Sequence, residues 1–286
     1  MLVALSIIID GVAYGMILFM ISVGLSVTMG LMRIMNLAHG GFALIGGAIA
    51  HALTVRLGID FVPAAILSIM TAVLISFALE RIVYRPIYRL GELGQVLATI
   101  GVTFIIIAIV NFFLGSTLLP IRPPSFMTGS VTLGFKTLPM HRLIVIGAGA
   151  MVLVFLYWLI ERTRFGIYLR ASVDNHATAA ALGINTSKIY AVTFALGAGL
   201  AALGGMLGAE LLPLEAYYPL RYMVLFLTVV AVGGLGTITG SFAAAMGLGI
   251  LDTGSRYLLS EFGTIVFFLA VMLLLSARPR GLLGRA

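Results

Sequence analysis

The chain has 286 residues, of which 61% are apolar and 9% charged, and its mean hydropathy is +1.17. A water-soluble globule carries about 25% charged residues, so this composition excludes a soluble fold and makes lipid the natural solvent. Seventeen basic residues against ten acidic give a net charge of +7, but the basic residues fall in short clusters between apolar runs, which is the pattern of membrane orientation and headgroup contact, not of nucleic-acid binding.

A helix needs about 20 apolar residues to cross the hydrocarbon core. The first such run covers residues 3–29 and is broken only by Asp10. No Lys or Arg precedes it, so it reads as a retained span and not as a cleaved signal peptide. A Gly-rich run at 37–55 follows, then runs at 61–82, 96–118 and 143–160. Further along come 189–212, a long run at 223–251, and a short one at 262–276. Barrel strands would alternate at every second residue and these runs do not, so helices are expected throughout. The expected fold class is an all-α polytopic membrane protein. It has about 8–9 transmembrane helices, some of them Gly-rich and broken or re-entrant, in one domain over residues 1–286.

Basic residues set the direction. Arg81, Arg85 and Arg89 follow the third run, Arg162, Arg164, Arg170 and Lys188 flank the loop after the fifth, and Arg278, Arg280 and Arg285 end the chain. All three clusters are expected in the cytoplasm. The last two agree only if an even number of crossings separates them. The run at 223–251 therefore has to break at its centre, Gly233-Gly234-Leu235-Gly236-Thr237-Ile238-Thr239-Gly240. Two short crossings there give nine in all, and a re-entrant hairpin gives seven. Either way the N-terminus is outside and the C-terminus inside. The segment 119–142 is the longest outside loop and holds four prolines; it is either a connector or an ordered cap. Gly40-Gly41-Phe42-Ala43 with Gly47 resembles Gly240-Ser241-Phe242-Ala243 with Gly247, the trace of a candidate internal repeat.

The chemistry of soluble enzymes is missing. There is no cysteine, no G-x-x-x-x-G-K-[ST] phosphate loop, no H-E-x-x-H and no G-x-S-x-G, and the four histidines lack metal-ligand spacing. Acids near the spans are few. Asp10 and Glu210 are expected at span ends, and Glu80 solvated or paired at an interface beside Arg81. Asp252 either pairs with Arg256 or lines a pathway. Asn111, alone inside its span, reads as an interhelical hydrogen bond.

The loop at 161–188 is the longest inside segment. Ser172 suits a helix N-cap and Asp174 the positive end of a first turn. Residues 177–182 are mostly strong helix formers, and Gly183 is a natural C′ stop. A short, small-faced helix is expected, either an ordinary surface helix or a handle for another protein.

This loop resembles the coupling loop of ABC-importer permeases, an Ala-rich helix followed by Gly and an apolar residue. The whole chain resembles the permease subunits of high-affinity branched-chain amino acid importers. The residues that carry the likeness are Gly24-Leu25, Gly30 and Ile34-Met35-Asn36-Leu37-Ala38-His39-Gly40. Next come Glu80-Arg81 with Tyr84-Arg85-Pro86, then Thr163-Arg164-Phe165-Gly166 and Leu182-Gly183-Ile184-Asn185. Gly233-Gly234-Leu235-Gly236-Thr237 and the terminal Arg278-Pro279-Arg280-Gly281-Leu282 complete it. The likeness implies one half of a heterodimeric pore in the bacterial inner (plasma) membrane. A second permease subunit, two cytoplasmic ABC ATPases and a periplasmic binding protein would complete the importer. This chain would hold no cofactor and would not be an enzyme; ATP and Mg would sit in the ATPases. The cargo implied is branched-chain or other neutral amino acids. Urea, amides and aromatic acids are alternatives, as is a standalone channel or secondary carrier. ATPase coupling falls on Ser172, Asn175, Ala179, Ala180, Leu182, Gly183 and Ile184. Asn36, His39 and Gly40 either line a passage or turn the chain, with Gly233, Gly234 and Gly236 as their counterparts and Asp252 as a further pathway candidate.

Overall fold

A computed structural model describes residues 2–32, 34–132, 137–279 and 281–283. The first half contains α1 (Leu2–Leu31), α2 (His39–His51), α3 (Phe61–Leu79), α4 (Arg85–Ile87) and α5 (Glu92–Leu114). α2 runs on into a π-helical turn at Ala52–Arg56, and a second π turn, Glu80–Tyr84, joins α3 to α4. Strands β1 (Ser130–Thr132) and β2 (Thr137–Pro139) form an antiparallel hairpin with Val131 opposite Leu138. The second half contains α6 (Met140–Arg162), α7 (Arg164–Asp174), α8 (His176–Ala181), α9 (Thr186–Leu207), α10 (Tyr218–Gly233), α11 (Ile238–Leu258) and α12 (Gly263–Ala277). Among the described residues five segments are long and apolar enough to cross a bilayer: Val3–Gly30, Phe61–Ile87, Glu92–Leu114, Met140–Arg162 and Thr186–Leu207. α10 and α12 are shorter apolar helices.

On the outer helix α3 the small residues are buried and the large ones turn outward. α3 buries Ala64, Ser68, Ala72 and Ser76, one per turn, and exposes Ile66, Leu67, Met70 and Leu74. In lipid there is no hydrophobic force between helices, so small residues at the contact let backbones approach while large side chains meet the acyl chains. Small-residue packing is close around α1, the central helix. A Cβ added at Gly24 would lie 2.6 Å from Gly197 Cα of α9, and one at Gly15 would lie 2.7 Å from the Ala245 carbonyl of α11. Along α1 and α11, Gly11 meets Ile250, Gly15 meets Ala245, and Gly30 meets Gly236, so the two helices run antiparallel. Aromatic pairs fill the remaining gaps: Phe19 with Phe242, Phe42 with Phe194, and Phe194 with Tyr84.

The expected break of 223–251 is present as residues 234–237, between α10 and α11. Gly234 and Gly236 take φ of 92° and 78°, a region in which L side chains are strained, and this is why glycine stands at both. Thr237 Oγ1 donates to the Gly233 and Gly234 carbonyls at 3.2 and 2.9 Å, which satisfies the end of α10. The two halves of the supposed repeat occupy like places: Gly40 and Gly240 both lie in the first turn of a helix that follows a non-helical connector.

Several expectations need correction. The fourth run ends at Leu114, not 118, because Gly115 closes α5. The 119–142 segment is no simple connector, since it carries the β-hairpin and its Pro120 carbonyl is tied to His51 Nδ1. Asp10 is not at a span end. It lies inside α1, is buried, and forms an ion pair with Arg142 of α6. Of the two states expected for Glu80, solvated or paired, the structure has the second: Glu80 is buried and paired with Arg85 at 3.3 Å. The Asn111 side chain is only part-buried and makes no hydrogen bond among the described residues, so it ties no helices together.

Candidate functional site

Two features at opposite ends of the bundle stand out. The first is the platform α7–α8. Asn175 breaks the chain between the two helices with extended backbone (φ −151°, ψ 97°), and its Oδ1 accepts from the Thr178 amide at 2.9 Å. Asn175 is therefore the N-cap, and the expectation for Ser172 is overturned. Ser172 is buried within α7, and its Oγ donates to the Tyr168 carbonyl at 2.7 Å. Asp174 correspondingly ends α7 instead of opening a helix. The physical reason is that residues 164–174 form a helix of their own, buried through Gly166, Leu169 and Ser172. The competition for the cap position then falls to the next Asx residue.

The stop is as expected. The Ile184 amide donates to the Ala179 carbonyl at 3.1 Å and the Gly183 amide to the Ala180 carbonyl at 3.0 Å, with Gly183 at φ 86°. This is the paired bond pattern of a Schellman closure. Of the seven coupling candidates, Ala179 faces inward, whereas Ala180 and Leu182 are exposed, Leu182 by 77%. Leu182 is therefore the large apolar side chain on the exposed face of α8 and its closing turn.

The platform is fastened to the bundle. Arg170 Nη1 donates to the Ile160 carbonyl at the end of α6 at 2.8 Å, Tyr190 OH donates to the Ser172 carbonyl at 3.0 Å, and Thr186 Oγ1 lies 2.9 Å from His176 Nε2. A groove of about 400 Å³ adjoins it, lined by Glu80, Arg81, Arg85, Asn185 and Lys188. α8 is thus joined to the start of α9, and α9 packs on α1 at the Gly24–Gly197 contact.

Removal of the Asn175 side chain should cost the α8 cap about 1 kcal/mol. In Asn175→Ala, the Thr178 amide is expected to exchange about fivefold faster by hydrogen–deuterium mass spectrometry. Ser172→Ala should leave that amide unchanged, because Ser172 caps nothing.

The connector after α1 is held tightly. Asn36 Oδ1 accepts from the Ala38 amide at 3.1 Å and from Tyr84 OH at 3.0 Å. His39 Nε2 donates to the Ile21 carbonyl at 2.9 Å. Gln95 Oε1 and Thr99 Oγ1 accept from the Met35 and Leu37 amides at 3.0 and 3.2 Å. Gly40 packs on Pro219 and Phe226, and Gly233 on Gly240 and Ser241. Asn36, His39 and Gly40 are all buried in the bundle. Gly30, which the sequence offered only as part of a motif, brings the two broken segments together: its added Cβ would stand 1.8 Å from the Gly236 nitrogen.

The second feature lies where α9 ends and α6 begins, marked by the His141 Nε2 bond to the Leu207 carbonyl at 2.9 Å. A cavity of about 560 Å³ opens there between α1, α6, α10, α11 and α12. Asp252 lines it and is bound to Arg256 Nε at 2.9 Å, which is the pairing expected of it. Asp10, Tyr14, Arg142 and Arg221 also line it. Sequence spacing could not collect these residues, since Asp10 and Arg142 lie 132 positions apart.

An apolar helical bundle, broken at glycine turns, with a capped platform at one end and a charged cavity at the other, is the build of a multi-pass membrane protein. The family model described as "Branched-chain amino acid transport system / permease component" matches residues 7–276. The chain belongs to that family, and it is a multi-pass protein of the inner (plasma) membrane and an ABC-transporter permease subunit. It is 28% identical to the high-affinity branched-chain amino acid transport system permease protein LivH of Escherichia coli (strain K12), over 96% of this chain and 94% of that protein. Its identity to the permease protein BraD of Pseudomonas aeruginosa is 26%, over 97% of this chain and 94% of that one. A solved structure of PsaBC from Streptococcus pneumoniae in complex with Fab shares 15% identity with a TM-score of 0.48, over 94% of this chain and 87% of that one.

Proposed function

We propose that this chain forms one half of the pore of an ATP-driven importer of branched-chain or other neutral amino acids. A second, similar permease supplies the other half, two cytoplasmic ATPases bind ATP and Mg, and a periplasmic binding protein delivers the cargo. The observation that carries the reading is the α7–α8 platform: an exposed, small-faced helix closed by Gly183 and anchored to the bundle on its other side.

ATP binding can shift the pore between outward- and inward-facing states only if the ATPases contact the permease differently in each. Ala180, Leu182 and Gly183 are the surface they grip, with Asn175, Ala179 and Ile184 setting its shape and Ser172 fixing α7 beneath it. In this reading the α7–α8 end faces the cytoplasm and the Asp252 cavity faces the periplasm. Asn36, His39, Gly40, Gly233, Gly234 and Gly236 act as the hinge where the two broken segments meet. Asp252 belongs to the pathway.

The test is purification of the tagged chain from its native membrane, followed by reconstitution. Two nucleotide-binding subunits and a second permease should co-purify. Proteoliposomes holding the complex should take up labelled leucine only when ATP and the binding protein are both present. Uptake by this chain alone, driven by an ion gradient, would instead make it a carrier.

A further inference from the structure

The cavity around Asp252 contains more chemistry than an entrance needs. A salt bridge spaced i, i+4 on a helix surface normally leaves both partners in water and contributes a few tenths of a kcal/mol. Here the Asp252 side chain is only 7% exposed while that of Arg256 is 59% exposed. A buried carboxylate is costly unless it is well compensated. Arg256 reaches it with Nε, and its two Nη groups make no hydrogen bond among the described residues. The guanidinium is therefore oriented by its inner nitrogen, with its outer fork left open. That fork matches a carboxylate in bidentate geometry. Around the same space stand Leu225, Phe267 and Phe268, which are apolar. The volume of about 560 Å³ falls in the range of small-molecule sites.

Taken with the importer reading, on which it rests, the geometry points to a recognition site within the permease itself for the zwitterionic head of an α-amino acid. The α-carboxylate sits on the free fork of Arg256 and the α-ammonium on Asp252. The apolar side chain lies against Leu225, Phe267 and Phe268. A zwitterion carries no net charge, so it enters without unbalancing a wall whose acids already have cationic partners. A cation or anion of the same size would engage only one of the two groups, Asp252 or Arg256.

The test uses the purified complex of both permeases and both ATPases, without binding protein. Thermal unfolding is followed against L-leucine, leucinamide, which lacks the carboxylate, and isocaproate, which lacks the ammonium. Leucine should raise the unfolding temperature saturably, and the two analogues should act at least about tenfold more weakly. Arg256→Gln and Asp252→Asn should each weaken the leucine response about tenfold or more. The exchanged pair Asp252→Arg with Arg256→Asp should not restore it, although it restores the salt bridge. The site is overturned if leucine fails to shift the wild-type complex, if Arg256→Gln responds like wild type, or if the exchanged pair regains full response. ATP-driven uptake by wild-type proteoliposomes is read separately. A complex that imports normally but shows no leucine response sinks the site and leaves the importer, whereas one that binds leucine as described but imports nothing sinks the importer alone.

Discussion

Gly30→Ala is expected to abolish folded, monodisperse protein. The added Cβ would stand 1.8 Å from the Gly236 nitrogen and 2.5 Å from the Leu235 carbonyl carbon, and backbone cannot step aside as a flexible side chain does. Overpacking in protein interiors typically costs about 1–3 kcal/mol and more where nothing yields, and this overlap falls at the junction of both broken segments. The matched control is Gly247→Ala in α11, where nothing lies within 4 Å. Fluorescence-detected size exclusion with a thermal ramp should show Gly247→Ala at or slightly above the wild-type midpoint, since alanine favours helix by about 0.5–1 kcal/mol. A normal profile for Gly30→Ala would mean that the two broken segments do not touch.

Gly183→Val is expected to separate ATP hydrolysis from uptake. At φ 86° an L residue costs about 1–2 kcal/mol, and a β-branched one more. The bonds from Gly183 and Ile184 to the Ala180 and Ala179 carbonyls would loosen, and Leu182 would leave its place. No atom lies within 4 Å of a Cβ at Gly183, so the effect comes from backbone conformation and not from a clash, and the bundle should still assemble. In proteoliposomes, uptake is expected to fall at least about tenfold, while the complex purifies intact and hydrolyses ATP. Undiminished uptake would place the coupling elsewhere.

Much of this architecture is legible in the sequence because its causes are local. Spans follow from apolar length, and the break near 234–237 follows from glycine density and the parity of basic clusters. The end of α8 follows from one glycine. What is not legible depends on contacts between remote positions. Asp10 looks interfacial from its neighbours, yet its partner Arg142 sits on another helix. Glu80 has Arg81 beside it in the chain, but the π turn swings Arg85 to it instead. Ser172 and Asn175 are both good N-caps. Only the packing of α7 decides between them, and the amphipathic spacing of Gly166, Leu169 and Ser172 was the signal available. The cavity around Asp252 gathers residues from five helices and has no signature along the chain.

The glycine contacts that join α1 to α9 and α11 bear on how this protein can move. Where two backbones touch directly, no rotamers are available to re-pack, and sliding would drive carbonyls into one another. α1, α9 and α11 are therefore expected to travel as a single rigid keel. Shape change during a transport cycle is then expected in the flanks, α3, α5, α6 and α12, whose large outward side chains have rotamers with which to re-pack against lipid or a second subunit.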